Sequence, residues 1–508
     1  MELNWLDIAA FVFFIAVVIG VSLYASRTKD ENDESYFLAG RKLTWWLIGF
    51  SLIASNISTE HFVGMAGRGF DLGLAIASYE WMAAVTLVLV GIFFLPRFLR
   101  AGIYTIPQFL ELRYNLAART LMAVLMMLAY IIVALATVLY SGSLALNAIF
   151  NINITKGIWM IGILAGIYTV YGGLKAVVWS DLIQGAALLI GGVVITIIGF
   201  GAVGGVGDFF ANSGDKLHTV LPWNHPEMPW VAIFIGGLWI PNIFYWGLNQ
   251  FITQRTLGAK SLAEGQKGIL LAATIKLIIP IIIVFPGIMA YELYADIIPQ
   301  ADQAYPIMIS KLMPAGLRGA MLAALFGAVM SSLDSMLNSA STIFTIDIYK
   351  THVNKEANPK MLVKIGRIAT AVFVVVGCLW APVIASFGSV FQYIQMIWGF
   401  ISPGIVAAFI FGIFSKKTPP IGAIGSMIIG IPTYGALLKL LPQVAFLHHM
   451  FITFVVLCIW NAIVTVVSPL KEPKVIPQQD IDLKSSKLVP VWGMLVVVAT
   501  AVLYIIFW

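Results

Sequence analysis

The sequence predicts an all-α, polytopic membrane protein of about 14 transmembrane helices, and three observations predict it. Of the 508 residues, 60% are hydrophobic and only 11% are charged, against about 25% charged in an ordinary soluble domain. Fourteen apolar runs approach the ~20 residues that a bilayer crossing needs, centred near residues 15, 56, 86, 133, 162, 189, 240, 282, 330, 373, 401, 428, 456 and 498. With the N-terminus outside, the loops that then face inward lie around 25–42, 97–119, 175, 255–267, 350–367, 416–417 and 471–487. They hold twenty-three of the thirty Lys and Arg residues, the bias expected of cytoplasmic loops.

The first run is preceded by Glu2 and Asp7 and followed by Arg27 and Lys29. That order is the reverse of a cleavable signal, so a retained first span is expected. Both termini then face away from the cytoplasm, and the plasma membrane (a bacterial inner membrane) is the expected location. The net charge of +6 sits in loops rather than on one face, which gives no nucleic-acid surface. Cys378 and Cys458 lie in different runs and form no metal or disulfide spacing. The longest connections, 204–228, 293–315 and 469–488, are too short to fold alone, so any chemistry belongs inside the bundle. A nucleophile–base or metal set is missing there, and an enzyme is not expected.

Charged groups inside hydrocarbon cost roughly 2.5–3.5 kcal/mol each on insertion scales and usually face a cavity. Glu80, Asp181, Lys276 and Asp334 fall within apolar runs, as do Asn56, His61, Asn242, Asn249 and Gln395. A single amide or hydroxyl often only bonds a neighbouring helix. The full set points to a shared polar cavity. Arg255 is placed with the inward loop 255–267, so no Arg is expected within a span, which argues against an anionic solute.

Two spans read as interrupted. Ser51-Leu-Ile-Ala-Ser-Asn-Ile-Ser-Thr-Glu60 crowds polar groups into one, followed by Gly64, Gly67 and Gly69; Gly236-Gly237 and Pro241 divide the other. Backbone groups freed by such breaks must be used by a ligand, an ion or water. Paired breaks also mark a mid-membrane site between inverted repeats.

The segments Ala54-Ser-Asn-Ile-Ser-Thr-Glu-His-Phe-Val-Gly-Met65, Ala75-Ile-Ala-Ser-Tyr-Glu-Trp81, Tyr171-Gly-Gly-Leu-Lys-Ala-Val-Val-Trp-Ser-Asp181, Gln254-Arg-Thr-Leu257 and Ser331-Ser-Leu-Asp-Ser-Met-Leu-Asn338 resemble the sodium/solute symporter family, most closely its bacterial and animal sodium/sugar cotransporters. The resemblance runs nearly end to end. It implies a LeuT-like five-plus-five inverted-repeat core with flanking helices. The expected layout is 1–44 as an extra helix and cytoplasmic loop, 45–203 as the first repeat, 204–228 as an extracellular loop, 229–415 as the second repeat and 416–508 as C-terminal helices.

By position, the resemblance implies a substrate site of Asn56, His61, Glu80, Asn242, Tyr245, Trp246, Lys276 and Gln395, with Met65, Tyr79, Phe391 and Tyr245 as gates. It implies a sodium site from the carbonyls of Ala54, Ile57 and Ala328 and the hydroxyls of Ser331 and Ser332. Asp181, Asp334 and Ser335 form a candidate second cation site. The implied partners are sodium, a sugar and the lipid bilayer, and the implied function is sodium-coupled import of a glucose- or galactose-type monosaccharide. A sodium- or proton-coupled carrier of another small solute, such as myo-inositol, is the alternative. His61 and Ala83 stand where some bacterial members carry Gln and Ser.

Overall fold

The computed structural model describes residues 4–25, 38–58, 60–150, 152–386, 390–472, 474, 476 and 481–508. Among them, eleven helices are long and apolar enough to cross a membrane, and the chain is a multi-pass membrane protein. Five large apolar side chains show why its solvent is lipid. Trp5, Phe13, Leu440, Val466 and Ile505 are each more than 70% exposed, and burying a side chain of that size is worth ~1.5–3 kcal/mol.

In chain order the helices used below are α1 (Trp5–Ala25), α2 (Trp45–Asn56), α3 (Ala66–Leu72), α4 (Leu74–Ala101), α5 (Leu116–Leu144) and α6 (Ile154–Ala202). There follow α7 (Trp230–Leu248), α8 (Gln250–Leu257), α9 (Leu262–Tyr294), α10 (Leu317–Val353), α11 (Pro359–Ile384) and α12 (Val390–Phe414). The last three are α13 (Pro420–Leu440), α14 (Phe446–Val467) and α15 (Leu488–Ile506). The eleven long apolar helices coincide with eleven expected spans. The other three expected spans, near 15, 56 and 162, take a different form. The first and third appear as the shorter apolar stretches Trp5–Val18 and Ile154–Ile167. The second is broken.

The inward connection expected at Lys175 is helical, within Ile154–Ala202, yet the chain reverses across it. Ile161 and Val329 both meet Gly142 while Asp181 bonds Ser331, and a straight helix would hold residues 161 and 181 about 30 Å apart. That segment contains glycines but no Pro, so every residue keeps its N–H donor. The side chains of 171–176 lie outside the described residues.

Both expected breaks are present. α2 ends at Asn56, Ile57 turns extended, and the chain resumes in a π-helical turn, Glu60–Met65, that runs into α3. In α7 a turn at 235–238 follows Phe234, a π-helical turn covers Phe244–Leu248, and Asn249 is extended before α8 starts. Pro241 sits within the helical turn Trp239–Ile243, so the interruption belongs to the glycines. Gly237 is required by close approach, since a Cβ there would run into the Leu447 carbonyl of α14.

Glycine also sets the register that builds the site. α9 lies parallel to the broken helix. Gly268 meets Ile48 of α2, where a Cβ would stand 2.7 Å from the Ile48 Cβ, and Gly287 meets Ala66 of α3. Without a hydrophobic drive between helices in lipid, small residues that let backbones approach supply the packing. Lys276 stands eight residues beyond Gly268, and Asn56 eight beyond Ile48. Parallel packing at one rise per residue therefore sets Lys276 beside the last residue before the break.

The register is testable. Gly287→Ala is expected to lower the stability of the purified protein by ~1–3 kcal/mol through overpacking. Gly201→Ala, with nothing within 4 Å of its Cβ, should be neutral, and thermal unfolding in detergent compares the two.

Candidate functional site

The break after Asn56 and the break before Asn249 open onto one cavity. It is lined by Asn56, His61, Glu80, Asn242, Tyr245, Trp246 and Gln395 and has about 910 Å³ of space including its open mouth. Seven of the eight expected substrate residues line it. The eighth, Lys276, is fully buried against its wall. Its ammonium donates to the Asn56 amide oxygen and to Glu80 Oε2, and lies 4.9 Å from the centre of the Trp246 ring, a cation–π distance. Asn56 Nδ2 in turn donates to the Tyr245 hydroxyl at 3.0 Å. Met65 and Tyr79, two of the expected gates, line the same space; the Phe391 side chain lies outside the described residues.

His61 is held by the break itself. Its Nδ1 faces the Ser58 N–H at 3.5 Å and its Nε2 faces Glu80 Oε1 at 3.5 Å. An accepting Nδ1 leaves the proton on Nε2, directed at the carboxylate. Glu80 thus has Lys276 on one oxygen and His61 at the other. The second break is held by Tyr130, whose hydroxyl donates to Asn249 Oδ1 and accepts from the Phe251 N–H at 3.3 Å.

A second polar cluster lies between α2, α6, α8 and α10. Asp181 Oδ2 accepts from Ser51 at 2.7 Å, Ser55 at 3.0 Å and Arg255 Nη2 at 2.9 Å, and its Oδ1 accepts from Ser331. Ser331 Oγ also stands 3.3 Å from the Ala54 carbonyl oxygen, and the buried Ser332 hydroxyl has no partner among the described residues. A freed carbonyl facing a hydroxyl pair, one of them unused, is an oxygen-rich seat that suits a hard monovalent cation.

The expected second cation trio divides. Asp181 and Ser335 meet through Arg255, whose Nη2 donates to Ser335 Oγ at 2.6 Å, whereas Asp334 hydrogen-bonds Thr169 Oγ1 at 2.5 Å. Arg255 is the principal correction to the sequence reading. It is 1% exposed inside the bundle and not a loop residue, because α8 continues the broken span inward and Asp181 neutralises the guanidinium there. Glu60, which lines the cavity, was not singled out either; its place beside His61 at the break was the available signal.

Comparison with known proteins identifies the family. Residues 36–430 match the family described as the sodium:solute symporter family. The chain is 41% identical to a sodium/glucose cotransporter of Vibrio parahaemolyticus, over 100% of this chain and 99% of that one. It is 34% identical to sodium/myo-inositol cotransporter 2 of Sus scrofa, over 84% of this chain and 68% of the relative. Among solved structures, a Na⁺-coupled sialic acid symporter in a substrate-bound outward-open state superposes with a TM-score of 0.84 at 25% identity, covering 93% of this chain and all of that one.

The Lys276–Glu80 pair carries a stability prediction. Lys276→Met leaves a buried carboxylate without its cation and is expected to cost ~3–5 kcal/mol. The double variant with Glu80→Gln should recover most of that loss in a double-mutant cycle read by thermal unfolding.

Proposed function

This chain belongs to the sodium:solute symporter family, a sodium-coupled solute transporter and not an enzyme, and from that premise we propose that it imports a monosaccharide of the glucose/galactose type. The observation that carries the reading is the cavity, in which acceptors, donors and aromatic faces are mixed around a neutralised charge pair. Asn56, His61, Glu80, Asn242, Lys276 and Gln395 offer the hydrogen bonds that hydroxyls need. Tyr245 and Trp246 offer faces for the C–H side of a pyranose. The Vibrio relative is a sodium/glucose cotransporter and supports this choice. The myo-inositol relative supports a second reading, a cyclic polyol of similar size.

Sodium is assigned to the carbonyls of Ala54, Ile57 and Ala328 with the hydroxyls of Ser331 and Ser332. A second cation is assigned to Asp181 and Ser335, which Arg255 engages in the present conformation, with Asp334, now bonded to Thr169, joining them when the ion binds. The proposed topology has fourteen spans, two five-helix inverted repeats covering 45–203 and 229–415, and both termini outside the cytoplasm.

Sodium at the break after Asn56 orders the residues that line the cavity. Sugar then binds, Met65, Tyr79 and Phe391 close over it, and the opposite side opens. One charge moving across 100 mV is worth about 2.3 kcal/mol, and a tenfold sodium gradient adds about 1.4 kcal/mol. One sodium per sugar therefore supports roughly 500-fold accumulation, and two support the square of that.

Proteoliposomes with an imposed sodium gradient test the assignment. Uptake of glucose, galactose or inositol is expected with sodium and not with potassium, and equal uptake with both would sink it. Ser332→Ala should raise the sodium concentration for half-maximal uptake roughly tenfold. Asp181→Asn should lower the Hill slope for sodium toward one; a slope unchanged by that substitution removes the second ion.

A further inference from the structure

We infer that Glu60 is a substrate-binding carboxylate that takes two neighbouring hydroxyls of the sugar, and that its unmet charge keeps the sugar-free carrier from closing. The inference rests on the sugar reading above and extends it to a residue not among those assigned to the substrate.

The charges in the cavity do not balance by pairs. Glu80 is engaged by Lys276 and faces His61. Lys276 is engaged by Glu80, Asn56 and the Trp246 ring. Glu60 lines the same cavity, half-buried at the first position of the π-helical turn. Its carboxylate makes no ion pair or hydrogen bond with any described residue; only its backbone N–H is used, donating to Ser58 Oγ at 3.1 Å. An ionised carboxylate offers about four lone-pair sites and no donor. It is therefore the strongest uncommitted acceptor among the described residues of the cavity, and adjacent hydroxyls of a pyranose present two O–H donors at matching spacing.

Closure over an empty cavity would strip water from this carboxylate, which must then stand bare or take up a proton, and both are disfavoured relative to the hydrated ion. With sugar present, two charge-assisted hydrogen bonds replace the water. Sodium-loaded carrier without sugar is thereby held open, and the ion does not cross alone.

Glu60→Gln in proteoliposomes tests both halves. Wild type is expected to lose roughly 10- to 100-fold in apparent affinity for at least one monodeoxy-glucose, the range for a hydrogen bond to a charged group. Glu60→Gln should shrink that loss to within about threefold while leaving the losses for the other deoxy sugars in place. Independently of any sugar, Glu60→Gln should increase sugar-free ²²Na⁺ flux several-fold. An unchanged deoxy-sugar pattern, or an unchanged sodium flux, overturns the inference. Should wild type take up no hexose or inositol on a sodium gradient, the sugar reading and this one fall together. Hexose uptake with no response to Glu60→Gln removes this one alone. If Glu60→Gln does not reach the membrane, Glu60→Asp is expected to weaken glucose more than the sensitive deoxy sugar; equal weakening overturns the proposal.

Discussion

The Asp181 carboxylate is the interaction on which the rest of the bundle depends. It receives hydrogen bonds from α2, α8 and α10 while itself standing on α6. A buried charge is tolerated only when its oxygens are filled, so the four helices must arrive together. Ser331 belongs at once to this knot and to the carbonyl of Ala54 at the end of α2. Ala54 lies two residues before Asn56, which touches Lys276. Within a few residues, then, the proposed cation seat and the proposed sugar cavity share a backbone. A change at one side has a covalent route to the other through the break, with no need for a long chain of side-chain contacts.

The two breaks are resolved in related ways. Hydrocarbon offers no water to a freed N–H or C=O. Near the first break the Ser58 and His61 side chains fill the gap, and near the second Tyr130 does. His61 therefore bridges backbone and cavity, since the nitrogen that meets Ser58 fixes which nitrogen presents a proton to Glu80.

Much of this was legible in the sequence because hydrocarbon punishes unexplained polarity. Lys276, Glu80 and Asn56 stand out against apolar neighbours, and the structure brings them into contact. Arg255 did not stand out, since it follows a polar stretch from Asn249 to Gln254 and reads as the edge of a loop. Its burial becomes visible only when Asp181, seventy-four residues earlier, is placed against it in three dimensions. The reversal at Lys175 was legible, but its helical form was not. A lone Lys between apolar runs marks the turn, while the local backbone chemistry of that segment, which has no Pro, lets the turn keep helical hydrogen bonds. Glu60 was hidden by company: beside Ser58 and His61 it reads as one more polar residue at a break, and only the pairing of Glu80 with Lys276 leaves it distinct.

The parallel lie of α9 along the broken helix sets a rule for how such a protein can change. The spacing from anchoring contact to site is eight residues on both strands of the pair, Ile48 to Asn56 and Gly268 to Lys276. Inserting or deleting one residue in either interval would turn the following side chains by about 100° and carry Lys276 or Asn56 out of the cavity. Length variation is therefore confined to the connections, and new substrate preferences have to arise by replacement in place. The gene can drift freely in its loops, while these two eight-residue rulers keep their length.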